Sequence, residues 1–285
     1  MKAVISSTYD SKYLYFLPIV TFCWNRLGVD VICFMPEIKD FFKFESGILT
    51  EIDFDNDKRV KLINETMIHK GMKFSMPRFS APEHKEATYA QCSRLYGACL
   101  DLPEDEVLIV GDIDMAVFNI GWLNNPIITG SDMTIFGADL VPEKQVPMCY
   151  ISGNVKEWRN VFELHGKTYQ QCLDNLLGEI ECENMRGNYW GKDQQTAFEM
   201  IDKNCSSAYY FDRARPNTQF ADHRCDRDDV NWRAYVNDEL IDAHLWRDGY
   251  TEQNHANIME LMRMKFPDED FTWLENYRTE YLKLI

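Results

Sequence analysis

The run Val107-Leu108-Ile109-Val110-Gly111-Asp112-Ile113-Asp114 delivers two carboxylates directly after four apolar residues. Carboxylates are hard oxygen ligands. Two of them at i and i+2 share one face of an extended chain, so both can face one divalent ion, Mg²⁺ or Mn²⁺, that bridges a diphosphate. Asp-x-Asp alone says little, since the chain contains it at Asp53/Asp55, Asp55/Asp57, Asp112/Asp114, Asp226/Asp228 and Asp268/Asp270. All but Asp112/Asp114 lie in charged, loop-like surroundings and read as solvated faces. Asp112/Asp114 ends an apolar strand, and ligands of parallel α/β sheets bind outside the carboxyl ends of strands.

Other reactive side chains are less sharply placed. His244 is flanked by Asp242, Trp246 and Arg247, which makes it the best ligand candidate among 6 histidines, although a packed or surface histidine is an equal reading. Residues 212–233 carry Arg213, Arg215, Arg224, Arg227, Arg233 and His223 among aspartates. Such balanced charge reads as a solvated face, or as a surface for a polyanionic acceptor. Asp132 reads as a turn residue or a sugar contact.

The elements that must position these groups alternate between strand and helix. Lys2–Ser7 reads as a buried strand, Ser11–Leu27 as a helix with Pro18 in its first turn or at a kink, and Gly28 as its stop. Val29–Phe34 follows as a strand, so the first segment is a βαβ unit and implies a parallel sheet. Ser80-Ala81-Pro82-Glu83 reads as a capping box opening a helix to about Leu100. Further strands are expected at Met133–Phe136 and Val146–Ile151. Helices are expected at Trp158–Leu164, Tyr169–Leu177, Gln194–Ile201, Gln253–Lys265 and Thr272–Leu284, and residues 51–61 as a loop or helix entry. The aromatic and Met content of the last two helices reads as core.

In this order the segments resemble the metal-dependent retaining glycosyltransferases of the glycogenin and lipopolysaccharide-galactosyltransferase type. Asp10-Ser11-Lys12-Tyr13 looks like the family's Asp-x-x-Tyr, which grips uracil. Gln91-Cys92-Ser93-Arg94-Leu95 looks like its Tyr-x-Arg-Leu segment, and Asp112-Ile113-Asp114 like its metal-binding motif. Ser152-Gly153 resembles the donor-side turn, Asp193-Gln194 the pair that contacts the transferred sugar, and His244 the late third metal ligand. The resemblance covers roughly residues 1–250. It departs from the family at Ile151, at Gln195 and in the late segment, where Arg247 stands in for a lysine that neutralises the leaving diphosphate.

The resemblance implies a GT-A fold, a Rossmann-like mixed, mostly parallel sheet flanked by helices, over residues 1–250, with helices 251–285 packed on it. It implies hexosyl or pentosyl transfer from a UDP-sugar, dependent on Mn²⁺ or Mg²⁺ and retaining. Asp112, Asp114 and His244 would hold the metal. Thr8, Asp10, Tyr13, Arg94, Asp112, Gly153 and Arg247 would bind the nucleotide-sugar, and Asp193 and Gln194 would act at the reacting carbon. Tyr13 as core, Arg94 in a same-helix ion pair and Asp193 as a helix N-cap remain open readings.

Composition bounds the rest. The 285 residues are 45% hydrophobic and 13% aromatic, enough to bury a core. With 46 acidic against 30 basic residues the net charge is -16, which disfavours dedicated nucleic-acid or anionic-membrane binding. The 9 cysteines, odd in number and without Cys-x-x-Cys, point to buried thiols in a reducing compartment rather than a disulfide framework or zinc site. The apolar stretch near Tyr13–Trp24 is too short to span a bilayer, and no signal peptide is evident. A cytoplasmic enzyme is therefore expected, a viral protein in the host cytoplasm included. The acceptor is left open between glycan, protein and a modified base of DNA. A nucleotidyltransferase would want a Gly-rich basic loop where the chain has Ser6-Ser7-Thr8-Tyr9-Asp10. A non-catalytic binding module would be expected to lose the carboxylate pair.

Overall fold

The computed structural model describes residues 1–37, 42–45, 48–51, 57–82, 85–121, 131–138, 141–178, 191–211, 224–227 and 239–285. In the amino-terminal half the elements are β1 (Lys2–Ser6), α1 (Ser11–Leu14), α2 (Leu17–Arg26), β2 (Asp30–Glu37), β3 (Phe42–Glu45), β4 (Ile48–Glu51), α3 (Lys58–His69), β5 (Phe74–Ser75), β6 (Arg78–Ser80) and α4 (Glu86–Ser93). A 3-10 turn then covers Arg94–Cys99, followed by β7 (Val107–Val110) and β8 (Met115–Val117). The second half supplies β9 (Met133–Phe136), β10 (Ile151–Asn154), α5 (Val155–Val161), α6 (Tyr169–Leu177), α7 (Lys192–Asn204), β11 (Ala208–Phe211), β12 (Arg224–Asp226), β13 (Asp242–His244), α8 (Glu252–Lys265) and α9 (Thr272–Tyr281).

A mixed sheet in the order β11-β9-β10-β7-β1-β2-β5, with β6 also on β2, forms the centre. Only β10 runs antiparallel to its neighbours β7 and β9; the other pairings are parallel. The period-2 alternation of strand side chains divides the core. Ala3 and Ile5 join one apolar layer with α2, α8 and α9; Val4 joins the other with α4, α5 and α6. This is the α/β architecture expected, a mostly parallel sheet flanked by helices.

Several boundaries differ from the sequence reading. The first helix breaks at Tyr15–Phe16, because Pro18 sits in the first turn of a second helix and cannot continue the first. Gly28 does end it, with φ +77°. Among the described residues no side chain caps α4, and Glu83 of the expected box lies outside them. Ser80 belongs to β6, its backbone N–H and C=O both bonded to the Gln170 side chain, while Lys85 stands at the helix start without a capping side chain. The strand expected at Val146–Ile151 lies later, at Ile151–Asn154. Residues from Lys58 onward form a full helix capped by Asp57.

The α8–α9 pair is bound to the front of the chain through aromatic rings, so its aromatic content is core. Tyr277 stacks on Tyr15 at 5.3 Å, Tyr281 meets it edge-on at 5.1 Å, and the Tyr277 hydroxyl donates to the Tyr15 carbonyl. Buried His255 places Nδ1 3.0 Å from the Tyr15 hydroxyl. Burial, with Arg278 and Arg263 nearby, pulls the His255 pKa from 6.5 down to about 4. Between those values the unfolded chain binds more protons than the folded one. Stability is thus full above the upper value and falls as pH drops through the window. His255→Gln should flatten that acid limb. Urea midpoints at neutral pH and about pH 5 check it, with the wild type losing more than the variant. No helix among the described residues is long and apolar enough to cross a membrane.

Candidate functional site

A cavity of about 390 Å³ opens at the carboxyl ends of β1 and β7. It gathers Thr8, Asp10 and Tyr13 from beyond β1, Gln91 and Arg94 from α4 and the turn after it, and Asp112 and Asp114 from beyond β7. Asp193 and Gln194 enter from α7, and His244 and Arg247 from the end of β13. These residues span more than two hundred positions of sequence; parallel β1 and β7 present their carboxyl ends on one side, and α7 and the separate β12-β13-β8 sheet bring the rest to that edge.

The turn after β1 is held from several directions. Asp10 caps α1, its Oδ1 accepting from the Lys12 N–H at 2.9 Å. Arg59 of α3 donates to the Tyr9 carbonyl at 3.1 Å and the Ser11 hydroxyl at 3.0 Å, and is itself paired with Asp57. The Tyr281 hydroxyl of α9 donates to the Ser11 carbonyl at 3.0 Å, and Arg78 bonds the Tyr9 hydroxyl. Tyr13 both packs against the core and lines the cavity.

Arg94 is a buried hub. One guanidinium nitrogen bonds Asp112 and donates to the Gly111 carbonyl at 3.0 Å; the other donates to Asp193 Oδ2 at 2.7 Å. Burial would favour the neutral form, yet Asp112 and Asp193 outweigh it and hold the guanidinium more firmly charged than an ordinary arginine. The carboxylate partners of Arg94 lie across the cleft, while its Nε donates to the Gln91 carbonyl of α4 at 3.1 Å. Asp193 is 3% exposed and sits in the first turn of α7. It is not the N-cap, since Gly191 holds that place at φ +95°.

The second carboxylate has a different environment. The chain turns after β7, so Asp112 and Asp114 lie beyond the strand rather than on one strand face. Short β8 then pairs antiparallel with β13, placing His244 opposite Met115 and thus beside Asp114. The Leu245 N–H donates to the Asp114 carbonyl at 2.8 Å. His244 Nε2 lies 3.2 Å from Asp114 Oδ2, and β12, parallel to β13, brings Asp226 alongside the same ring. Arg227, directly after β12, donates to that Oδ2 at 3.0 Å. Burial pushes the Asp114 carboxyl up, but His244 and Arg227 prevail and hold it below the usual carboxylate range.

Two carboxylates and an imidazole are a donor set that suits Mn²⁺ or Mg²⁺, and Asp114 and His244 are already adjacent. Both carboxylates are nevertheless engaged by guanidinium groups, and among the described residues no three His, Cys, Asp or Glu side chains converge on a point. The donor types therefore fit a divalent ion, provided that Arg227 yields Asp114.

Gly153 lies outside the cavity. It pairs with Leu108 and Met133 towards the far end of β7, and a Cβ there would stand 2.7 Å from the Met133 sulfur. The absence of a Cβ permits this close strand packing. Asp132 is a turn residue, accepting from the Ser206 hydroxyl at 2.6 Å beside that end of the sheet. Arg227 was not singled out as a site residue by sequence, because nothing local separates it from the neighbouring arginines. Arg213, Arg215, Arg233, His223 and Cys182 lie outside the described residues; the other eight cysteines are free thiols.

No protein-family profile matches the chain, and no curated protein sequence matches it. Among solved structures it is similar to galactosyltransferase LgtC in complex with donor and acceptor sugar analogs, at 8% identity and TM-score 0.49, covering 93% of this chain and 95% of that one. It is similar to glycosyltransferase GlyE of Streptococcus pneumoniae at 12% identity and TM-score 0.46, covering 99% of this chain and 63% of that one. A glycosyltransferase involved in glycosylation of the major capsid of PBCV-1 matches at 13% identity and TM-score 0.38, covering 93% and 100%.

Proposed function

We propose that the chain is a glycosyltransferase that moves a sugar from a UDP-sugar to an acceptor, with a divalent cation and with retention of configuration. The observation that carries this reading is the single cavity shared by Asp10, Tyr13, Arg94, Asp112, Asp114, Asp193, Gln194, His244 and Arg247. Asp10 uses one carboxylate oxygen as a helix cap, which leaves the other for a base edge, with Tyr13 against the ring. Asp114 and His244, with Asp112, would hold Mn²⁺ or Mg²⁺, which when bound supplies positive charge to a departing diphosphate. Arg247, exposed at the cavity rim, adds a second cation for the same oxygens.

The state of Asp193 supports retention. An inverting transferase needs a carboxylate that can reach the acceptor hydroxyl and take its proton. Asp193 is buried, with Oδ2 on Arg94 and Oδ1 accepting from the Gln194 N–H at 2.8 Å. That arrangement orients and does not free a base. The leaving phosphate oxygen then takes the proton, Asp193 positions Arg94, and Gln194 lies beside the reacting carbon.

The test is incubation with Mn²⁺ and a panel of UDP-sugars, following UDP release and the anomeric coupling of the product by NMR. The expected product keeps the donor configuration; the opposite configuration would overturn retention, and no UDP release from any donor would overturn sugar transfer. For base recognition, Asp10→Ala should weaken UDP binding by about tenfold while leaving the metal requirement unchanged. Calorimetry with UDP and GDP checks it, and equal affinity of the wild type for both would contradict the assignment.

A further inference from the structure

Asp114 and Arg227 are both largely withdrawn from water, their side chains 9% and 13% exposed. The guanidinium does not bond an idle oxygen: the Oδ2 it holds at 3.0 Å is the one that also faces His244 Nε2 at 3.2 Å. Of the Asp114 oxygens, Oδ2 is the one placed beside His244 Nε2 to share a divalent ion with it. A guanidinium and a divalent cation on one oxygen repel each other strongly where the surroundings are weakly polarisable. Arg227 also lines a second cavity of about 280 Å³ with Trp246, Arg247 and Asn254, adjoining the first through the two arginines. The side chain therefore has space to move into beside the cleft.

We infer that Arg227 is the resident counter-cation of Asp114, competing with the divalent ion until a diphosphate offers the guanidinium another anionic partner. The inference rests on the metal-dependent reading above. In the nucleotide-free protein Arg227 neutralises Asp114 and keeps metal affinity low. A diphosphate in the cleft presents oxygens onto which the guanidinium forks, Asp114 Oδ2 is released, and the metal enters with the nucleotide. Linkage makes the effect reciprocal: UDP strengthens Mn²⁺ binding by the factor by which Mn²⁺ strengthens UDP binding.

The experiment measures Mn²⁺ affinity by electron paramagnetic resonance, with and without UDP, on the wild-type chain, Arg227→Met and Arg227→Lys. Thermal melts confirm folding. In the absence of UDP, Arg227→Met should bind Mn²⁺ on the order of tenfold or more tightly than wild type, and its UDP–Mn²⁺ coupling should shrink by a similar factor. Arg227→Lys, which keeps the charge, should stay near wild type. Should Arg227→Met fail to fold, Arg227→Gln serves the same comparison. Equal Mn²⁺ affinity of wild type and the neutral variant without UDP would overturn the role of Arg227 and leave the metal site standing. Failure of every form to bind Mn²⁺ even with UDP would overturn the metal reading, and the inference with it.

Discussion

Asp114→Ala should lower turnover of a UDP-sugar by about three orders of magnitude or more. The carboxylate is the point at which β8, β12 and β13 bring their site residues together, accepting from Arg227 and facing His244. Its removal leaves two cationic or ligating groups around an empty corner. The backbone bond from Leu245 to the Asp114 carbonyl does not involve the side chain, so the turn should survive the substitution. Asp112 is more exposed and committed to Arg94, so Asp112→Ala should act partly through that arginine. Initial rates at saturating Mn²⁺, paired with calorimetric UDP affinity, separate lost chemistry from lost binding. A variant within about tenfold of wild-type turnover would remove Asp114 from the centre of the site.

Arg94→Met should destabilise the fold by about 3–5 kcal/mol, the cost typical of stripping one partner from a buried ion pair. Asp193 would lose its guanidinium while remaining 3% exposed, and the Gly111 carbonyl would lose its donor. Arg94→Lys should recover only part of this, because a single ammonium cannot fork across Asp112, Asp193 and Gly111 at once. Urea denaturation of the three proteins measures it. A loss under about 1 kcal/mol for Arg94→Met would mean that Asp193 finds compensation elsewhere.

What could be read from sequence divides along a physical line. β7 was legible because Val107–Val110 is an unbroken apolar run with both faces covered. Tyr169–Leu177 was legible from its helical spacing of Cys172, Leu173 and Leu177. Val60, Ile63 and Met67 carry the same signal for α3, with Asp57 as the cap, but the acidic stretch before them hides it. β8, β12 and β13 are three residues each and have no period to read; they exist because they pair with one another. Those strands set the neighbours of Asp114. The carboxylates could therefore be located in the sequence, while Arg227, the partner of Asp114, could not. Ser80 and Gly153 show the converse: each matches a local motif, yet sheet pairing assigns it elsewhere.

The hydroxyl of Tyr281 reaches the carbonyl of Ser11, 270 positions earlier. During synthesis, the turn bearing Asp10 emerges well before the α9 residue that fastens it. β1 can pair with β2 and β7 once Val110 has emerged, a modest closure for a growing chain. The aromatic clasp around Tyr15 must wait for Tyr250, Tyr277 and Tyr281. Until then Arg59 and Arg78 hold the turn without the α9 hydroxyl, so competence of the proposed nucleotide site should trail the appearance of the sheet rather than accompany it.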